Sequence, residues 1–307
     1  MKSINYTLLG DDESLAKDFG KKGTATDITI YDKKDTGVVK TWTLPTGFPE
    51  KIQPLLQAIN MGEYVIFHVS KLDKFTGEQI VALDVLKKNK GLLTHSYDVD
   101  REKLRLMIKG TVVEQYKIVE PSDLRKEMDA LESVSTDGGT RIPIDHCFEV
   151  KGVGTVILGK VAQGKVKVYD KLKLFPKGDE VLIKSIQMHD DPVEEAISPA
   201  RVGLAVKGIV ADDVQRGDQL SSGEGIIVSQ DIGLDFLQNK FFKDNLTENQ
   251  TFLVNIGMQI RAAKIVSMNP MKLSLNKPAS FIKNDICVIL KPESQTIRIV
   301  GSGQIIA

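Results

Sequence analysis

The sequence predicts a multi-domain protein in which one α/β domain is followed by two all-β barrels. In residues 1–135, short apolar runs alternate with amphipathic helical runs, the pattern of a mainly parallel sheet covered by helices. A polar, glycine-containing linker at 133–139 ends that pattern. Residues 140–222 and 223–307 then carry many short strands punctuated by glycine and proline, which is typical of small barrels. We therefore expect three domains with those bounds.

The elements of the first domain follow from composition and spacing. Runs rich in β-branched and aromatic residues predict strands at 4–9, 27–31, 38–44, 64–69, 91–94 and 112–119. Apolar residues at helical spacing predict helices at 13–19, 50–60, 77–87, 100–108 and 122–131. The glycine- and lysine-rich run at 20–24 could bind an anion, but its spacing is not that of a phosphate loop, and a solvated turn is the better interpretation.

The rest of the chain, residues 140–307, is predicted to be almost purely β. The second domain is expected to contain strands at 144–150, 154–161, 171–175, 180–188 and 201–206. The third is expected to contain strands at 226–234, 251–256, 260–268, 273–275, 286–290 and 297–306. The glycines and prolines between these runs are the residues that turns and barrel corners require.

Composition narrows the class of protein. Lysine and arginine together number 41, as do aspartate and glutamate, so the formal net charge is zero and the basic balance usual for nucleic-acid binding is absent, although a local patch stays open. Cys147 and Cys287 have no neighbouring ligand cluster, and the four histidines have no zinc spacing, so we expect no metal site. No run resembles a signal peptide or a membrane span, which predicts a cytoplasmic protein without membrane contact.

Three motifs in the same order resemble the elongation-factor type of translational GTPase. The segment 142–176 contains the strand and glycine turn GVGTVILG, the segment 201–221 ends in RGDQLS, and the chain closes with IRIVGSGQI at 297–305. The first two are similar to domain 2 of EF-Tu and of the selenocysteine-specific elongation factor SelB. The third is similar to the terminal strand of elongation factors and of the initiation-factor gamma subunit. The resemblance implies a P-loop-NTPase-like domain followed by two barrels, as in EF-Tu.

The resemblance also implies a nucleotide loop, which this chain has lost. The family needs G-x-x-x-x-G-K-[S/T] after the first strand, so that backbone amides and a lysine hold the phosphates. Here the sequence runs Gly10, Asp11, Asp12, Glu13 and then Ser-Leu-Ala-Lys. The glycine-lysine part is missing, and three carboxylates stand where phosphate would bind. Like charges at that distance repel, so we expect no triphosphate there.

The other two nucleotide motifs are degenerate as well. In the place of D-x-x-G-H the chain keeps Gly47, but Leu44 replaces the magnesium-side aspartate and Phe48 replaces the water-positioning residue. In the place of N-K-x-D only Asp98 remains. The run at 70–73 lies one strand too early, and we interpret it as an ordinary strand exit. The resemblance therefore implies a degenerate GTPase-like domain with no catalytic residues and no bound cofactor.

An RNA site is what the resemblance implies for the rest of the body. In the family, the face between the first two domains holds the aminoacylated end of tRNA. By position, the candidates here are Phe148, Met188, His189 and Arg201, because an aromatic ring, a histidine and an arginine can stack on and bind a nucleotide. Alternatively, Phe148 is a core residue and His189 a solvated turn residue. The acidic pair at 190–191 would repel phosphate.

Three functions remain open from the sequence. The first is a translation-related protein with a pseudo-GTPase domain that binds tRNA or ribosome-associated RNA. The second is a protein–protein adaptor that uses the elongation-factor fold, which the zero net charge and the acidic former phosphate loop favour. The third is a translation factor that binds GTP in an unconventional way.

Overall fold

The computed structural model describes residues 1–10 and 13–306. Its first part is an α/β domain. The strands are β1 (Lys2–Leu9), β2 (Lys21–Ala25), β3 (Thr29–Asp35), β4 (Val38–Leu44), β5 (Tyr64–Val69), β6 (Gly91–His95) and β7 (Lys117–Ile118). The helices are α1 (Ser14–Phe19), α2 (Gln53–Met61), α3 (Lys74–Val85), α4 (Arg101–Ile108) and α5 (Leu124–Asp129).

The sheet of this domain is mixed, in the order β2-β3-β4-β1-β5-β6-β7. Strands β4, β1, β5, β6 and β7 run parallel, while β2 and β3 form an antiparallel edge. Helices α2, α3 and α4 pack on one face of the sheet, and α1 and α5 pack on the other. Because both faces are covered, the central strand β5 is apolar along most of its length, as predicted.

Two elements differ from the sequence-based expectation. The segment predicted as a strand at 112–119 begins as a 3-10 turn over Val112–Gln115 and pairs with the sheet only through β7. The Thr111 hydroxyl accepts a hydrogen bond from the backbone N–H of Val113 and so starts the turn. The run at 20–24, expected to be a solvated turn, instead forms most of β2. Exposed lysines are common on such an edge strand because they discourage pairing with other chains.

The two barrels follow in sequence. Barrel 1 contains β8 (Arg141–Val150), β9 (Gly154–Lys160), β10 (Lys165–Lys167), β11 (Lys171–Phe175), β12 (Asp179–Met188), β13 (Asp191–Val193), β14 (Glu195–Ile197), β15 (Arg201–Lys207) and β16 (Gln219–Ser221). Six of these close in the order β11-β16-β8-β9-β15-β12. Barrel 2 contains β17 (Ile227–Gln238), β18 (Thr251–Ile256), β19 (Gln259–Met268), β20 (Met271–Phe281), β21 (Ile286–Leu290) and β22 (Ile299–Ile306), closed in the order β17-β20-β19-β18-β21-β22. The predicted fold class is confirmed.

The α/β domain docks on the two barrels with different chemistry. Leu290 and Ile299 of barrel 2 join the apolar core beneath α2 and α3. The contact with barrel 1 is polar, as shown by Arg216, whose Nη1 lies 2.7 Å from Asp27 Oδ1. None of the helices in the described residues is long and apolar enough to cross a membrane.

Candidate functional site

A cavity of about 230 Å³ lies at the carboxyl edge of the parallel strands. It is bordered by the ends of β1, β4 and β5 and by the start of α3. In open α/β sheets this edge is where ligands bind, so it is the place to compare with a nucleotide site. The cavity is lined by both polar and apolar residues, and three of them are aromatic: Phe48, Phe67 and Phe75.

The connection from β1 to α1 is short. It comprises residues 10–13, of which Asp11 and Asp12 lie outside the described residues. The Gly10 backbone N–H donates to Gln79 Oε1 at 2.9 Å, so a protein group occupies an amide that a phosphate loop would offer to its ligand. Gly10 has a φ of +119°, and a Cβ there would lie 2.1 Å from the carbonyl oxygen of His68. Gly10 is therefore packed directly against the end of β5, and Glu13 lies at the cavity wall.

Residues 44–50, which begin at the last residue of β4, form the segment that we call the switch-equivalent loop. Leu44 is buried, and the Gly47 backbone N–H donates to the carbonyl oxygen of Asp27 at 2.7 Å. The ring of Phe48 meets the ring of Phe75 edge-on, with centroids 6.0 Å apart. The Gly47 amide of this loop therefore binds another part of the protein, and apolar side chains occupy the two substituted positions of the loop.

Of the residues in the base-reading motif N-K-x-D, this chain keeps the carboxylate, which is exposed. Asp98 lies in the loop after β6, next to the exposed Tyr97. The competing run at 70–73 ends in Asp73, whose side chain accepts from the backbone N–H groups of Phe75 and Thr76 at 2.9 Å. Asp73 is the N-cap of α3, which confirms the interpretation of this run as a strand exit.

Two of the four RNA candidates are turned away from solvent. Met188 is 1% exposed and packs in the core of barrel 1, so the expectation that it contacts RNA is corrected: strand alternation points this side chain inward. The Arg201 guanidinium makes a two-pronged ion pair with buried Asp145, which also lies 2.6 Å from His146 Nδ1. Arg201 therefore stabilises the barrel wall.

His189 lies at an interdomain contact. It sits in the turn between β12 and β13 with a φ of +50°, and its Nδ1 lies 3.4 Å from Asp32 Oδ1 of the α/β domain. Beside it, Asp191 forms an ion pair with Lys34. The hydrogen bond from Lys34 and its charge lower the pKa of Asp191. Asp191, one of the two acidic residues that were expected to repel phosphate, thus helps to join the two domains.

Phe148 is the candidate that lies on an open surface. It is 41% exposed on β8 and pairs with Val156 of β9. Adjacent strands and turns at this end of barrel 1 add further exposed groups, and we call the set the barrel-1 tip: Phe148, Lys151, Val153, Lys184, Lys207 and Val210. Lys184 Nζ donates to the Val153 carbonyl at 2.9 Å, which brings β12 to the β8–β9 turn. The tip combines apolar and basic side chains.

Comparison with known proteins decides the family. An uncharacterized protein of Methanocaldococcus jannaschii is 36% identical over 312 residues, covering 99% of this chain and 100% of that protein. Residues 154–221 match the family model for elongation factor Tu domain 2. The selenocysteine-specific elongation factor of the same organism is 28% identical over 65% of this chain and 47% of its own length. The chain belongs to the translational GTPase superfamily.

The fold of this chain is also found in a solved structure. The elongation factor SelB of Methanococcus maripaludis, in complex with the GTP analogue GPPNHP, superposes with a TM-score of 0.85. It is 21% identical, and the match covers 100% of this chain and 79% of that one. The fold is therefore that of a SelB-like elongation factor, while the chain spans about half the length of the curated SelB relative.

A second surface of this translational GTPase relative was not predicted from the sequence. A groove of about 660 Å³ runs between α3, α4 and barrel 2. Its exposed apolar side chains are Leu106, Leu237 and Phe241. Four exposed lysines border it: Lys74, Lys87, Lys109 and Lys240. No single run of sequence marks this groove, because three distant segments build it.

Proposed function

We propose that this chain is an elongation-factor-like protein that binds tRNA or ribosome-associated RNA without a GTP cycle. The observation that carries the proposal is the use of Gly10 and Gly47: both backbone N–H groups bind protein oxygens at the edge where nucleotide phosphates would bind. The elongation-factor barrels are retained beside this edge. We infer that such a protein keeps the two barrels for binding and lacks the nucleotide-dependent conformational switch.

Loss of the GTP cycle is supported by charge and by shape. Glu13 lines the cavity, and a carboxylate there disfavours phosphate. Phe48 fills the place of a water-positioning side chain and packs on Phe75. A ligand can drive a rearrangement only through contacts that differ between two states, and these contacts need no γ-phosphate. The protein is accordingly proposed to be neither a GTPase nor a nucleotide-dependent switch.

The barrel-1 tip is the surface that we propose for RNA. An exposed aromatic ring can stack on a base of any identity, and Phe148 supplies one. Lysines neutralise phosphates and release counterions, and Lys151, Lys184 and Lys207 are exposed at the same end of barrel 1. Zero net charge for the whole chain is compatible with such a local patch. Binding at this tip is expected to be moderate and strongly salt-dependent.

Titration of fluorescently labelled tRNA at low salt tests the RNA proposal. Phe148→Ala should weaken binding about tenfold, since stacking on one base contributes roughly 1–3 kcal/mol. Lys184→Gln and Lys207→Gln should each reduce the slope of log affinity against log salt by about one. Tyr97→Ala removes an aromatic ring of the α/β domain that is 80% exposed, more than Phe148, and should leave affinity unchanged.

Two results would overturn this proposal. Absence of any tRNA binding by the native chain at low salt would remove the RNA function. A rise of several degrees in the melting temperature on adding GTP or GDP with magnesium would reveal nucleotide binding by linkage, and the unconventional GTP-binding factor would replace the switch-free reading. We expect no such rise.

The lysine-bordered groove favours a second candidate function, the protein–protein adaptor. Its two lining carboxylates are already engaged: Glu78 binds Arg298, and Asp84 accepts from the Val112 backbone N–H at 3.0 Å. The bordering lysines form no ion pair with any described residue, so the rim is basic around an apolar floor. An amphipathic helix with an acidic polar face is the partner that matches both features.

An anisotropy titration with a designed amphipathic peptide tests the adaptor. A labelled helical peptide with leucines on one face and glutamates on the other should bind, and Phe241→Asp should weaken binding at least tenfold, because central aromatic anchors dominate such interfaces. Val266→Asp, at an exposed apolar position of barrel 2 outside the groove, is the matched control. Equal binding of a peptide with lysines in place of the glutamates would contradict the proposed chemistry.

A further inference from the structure

The switch-equivalent loop is joined to both barrels by groups of the protein itself. We propose that residues 44–50 act as a constitutive latch, clamped by Arg298, which holds the α/β domain against barrel 2 whether or not a nucleotide is present. This goes beyond the proposed function, because it assigns a conformational role to a loop that is otherwise only degenerate. The argument starts from Arg298, just before β22.

Arg298 fixes α3 to barrel 2 through a buried charge pair. Its guanidinium Nε lies 3.1 Å from both carboxylate oxygens of Glu78, its Nη2 makes a further short contact, and its backbone N–H donates to Glu78 Oε1 at 2.9 Å. Both residues are buried. Separating them would leave two unpaired charges, which a protein interior strongly disfavours, so an open arrangement at this contact is rare.

The same guanidinium holds the loop. Nη1 donates to the carbonyl oxygen of Pro49 at 2.7 Å and lies 3.4 Å from that of Glu50. The guanidinium carbon stands 5.5 Å from the ring centroid of Phe48, a cation–π distance. One side chain of barrel 2 therefore contacts the loop through two carbonyls and one ring while it is bound to α3.

At its other end the loop is tied to barrel 1. The Gly47 backbone N–H binds the carbonyl oxygen of Asp27, and the Asp27 carboxylate binds Arg216 at 2.7 Å. Burial alone would raise the pKa of Asp27, but the hydrogen bond and charge of Arg216 outweigh it and lower that pKa. In GTPases, ordering of switch loops depends on γ-phosphate and magnesium. Here the loop is linked to barrel 2 directly and to barrel 1 through Asp27, by protein atoms alone.

Hydrogen exchange of the full-length chain tests the latch. Arg298→Met should speed exchange of the Gly47 and Phe48 amides, and of the Lys51 amide that binds the Gly47 carbonyl, about tenfold or more, since local opening sets their protection. The amides of β5 should keep theirs. Lys291→Met removes an exposed barrel-2 ion pair with Asp244 and should change neither set. Addition of GTP or GDP with magnesium to the native chain should leave loop exchange unchanged.

The outcomes separate the latch from the proposed function. Unchanged loop exchange in Arg298→Met would overturn the latch and leave RNA binding untouched. Loop protection that rises with nucleotide would overturn both the latch and the switch-free function. If Arg298→Met does not fold, Glu78→Gln, which keeps shape and removes one charge, must show the same faster loop exchange, and an unaltered rate in that variant would overturn the latch.

Discussion

Arg201→Ala should lower the free energy of unfolding by about 3–5 kcal/mol, because it strands a buried carboxylate. Asp145 is almost fully enclosed, and the Arg201 guanidinium is its main charge partner. His146 Nδ1 remains on one oxygen at 2.6 Å, but a histidine does not supply the permanent charge of a guanidinium. Urea unfolding at pH 7 measures the loss.

The pH dependence of this effect has a definite sign. Burial raises the pKa of Asp145, but the charge of Arg201 and the hydrogen bonds from His146 and Arg201 outweigh burial, and the pKa lies below 3.8. In the native chain, the stability from this carboxylate is therefore present above about pH 4 and is lost as the pH falls through the lowered pKa. Without Arg201 only burial and His146 remain, so the pKa of Asp145 should rise. The stability difference between the two proteins should then shrink as the pH falls from 7 towards 3.

Two further variants identify the cause of the loss. Arg101→Ala breaks an exposed ion pair with Glu120 in the α/β domain and should cost less than about 1 kcal/mol. Adding Asp145→Asn to Arg201→Ala removes the stranded charge and should recover part of the stability. A double variant as unstable as the single one at pH 7 would show that lost packing, rather than an unpaired carboxylate, is responsible.

The architecture was predictable because it depends on patterns that are local in sequence. Strands such as Val38–Leu44, Tyr64–Val69 and Thr251–Ile256 have the bounds that their apolar and β-branched runs predict. The order of strands and helices then restricts the topology to few choices. The 3-10 turn at Val112–Gln115 was missed because a threonine cap overrides a β-like composition.

The loss of the phosphate loop stays a prediction from the sequence, where it could be made because the glycines and the lysine of such a loop are adjacent. The sequence does not show which protein groups occupy the edge of the sheet where phosphates would bind. Gln79 and Asp27 reach the two glycine amides from elements distant in sequence, and Arg298 lies in the last domain. Partners of this kind are set by tertiary contacts, for which one sequence carries no periodic signal.

The RNA candidates show the same limit. A bulge between Ile183 and Ser185 shifts the alternation of β12, and Met188 then falls on the inner face. Asp145, the partner that engages Arg201, lies on a different strand, and Asp32, the neighbour of His189, lies in a different domain. Position along a motif therefore identified four residues, but charge pairing and burial decide which of them face solvent.

Trp42→Ala is expected to have a similarly large effect, about 3–5 kcal/mol, because it empties the centre of an aromatic stack. Trp42 is 2% exposed, and its ring lies 5.6 Å from the rings of Tyr6 and Phe19. The matched variant Trp42→Phe should cost less than about 2 kcal/mol. It keeps an aromatic ring and removes an indole N–H that has no hydrogen-bond partner among the described residues, a group whose burial disfavours folding by about 1–3 kcal/mol.

Far-ultraviolet circular dichroism during urea unfolding measures both variants, because the α-helices of the described chain all belong to the α/β domain. Equal losses for Trp42→Phe and Trp42→Ala would contradict the attribution of this stability to ring stacking, because Trp42→Phe keeps an aromatic ring in the stack. The aromatic stack also affects the edge of the sheet where a nucleotide would bind. Phe19 is the buried aromatic anchor of the six-residue helix α1, and α1 directly follows the shortened loop. Trp42→Ala should therefore release α1 before the remainder of the sheet unfolds, and hydrogen exchange at the Gly20 amide, which closes α1 on Ala16, should rise first. Such an order would mean that aromatic packing, in place of a bound nucleotide, holds the start of this domain.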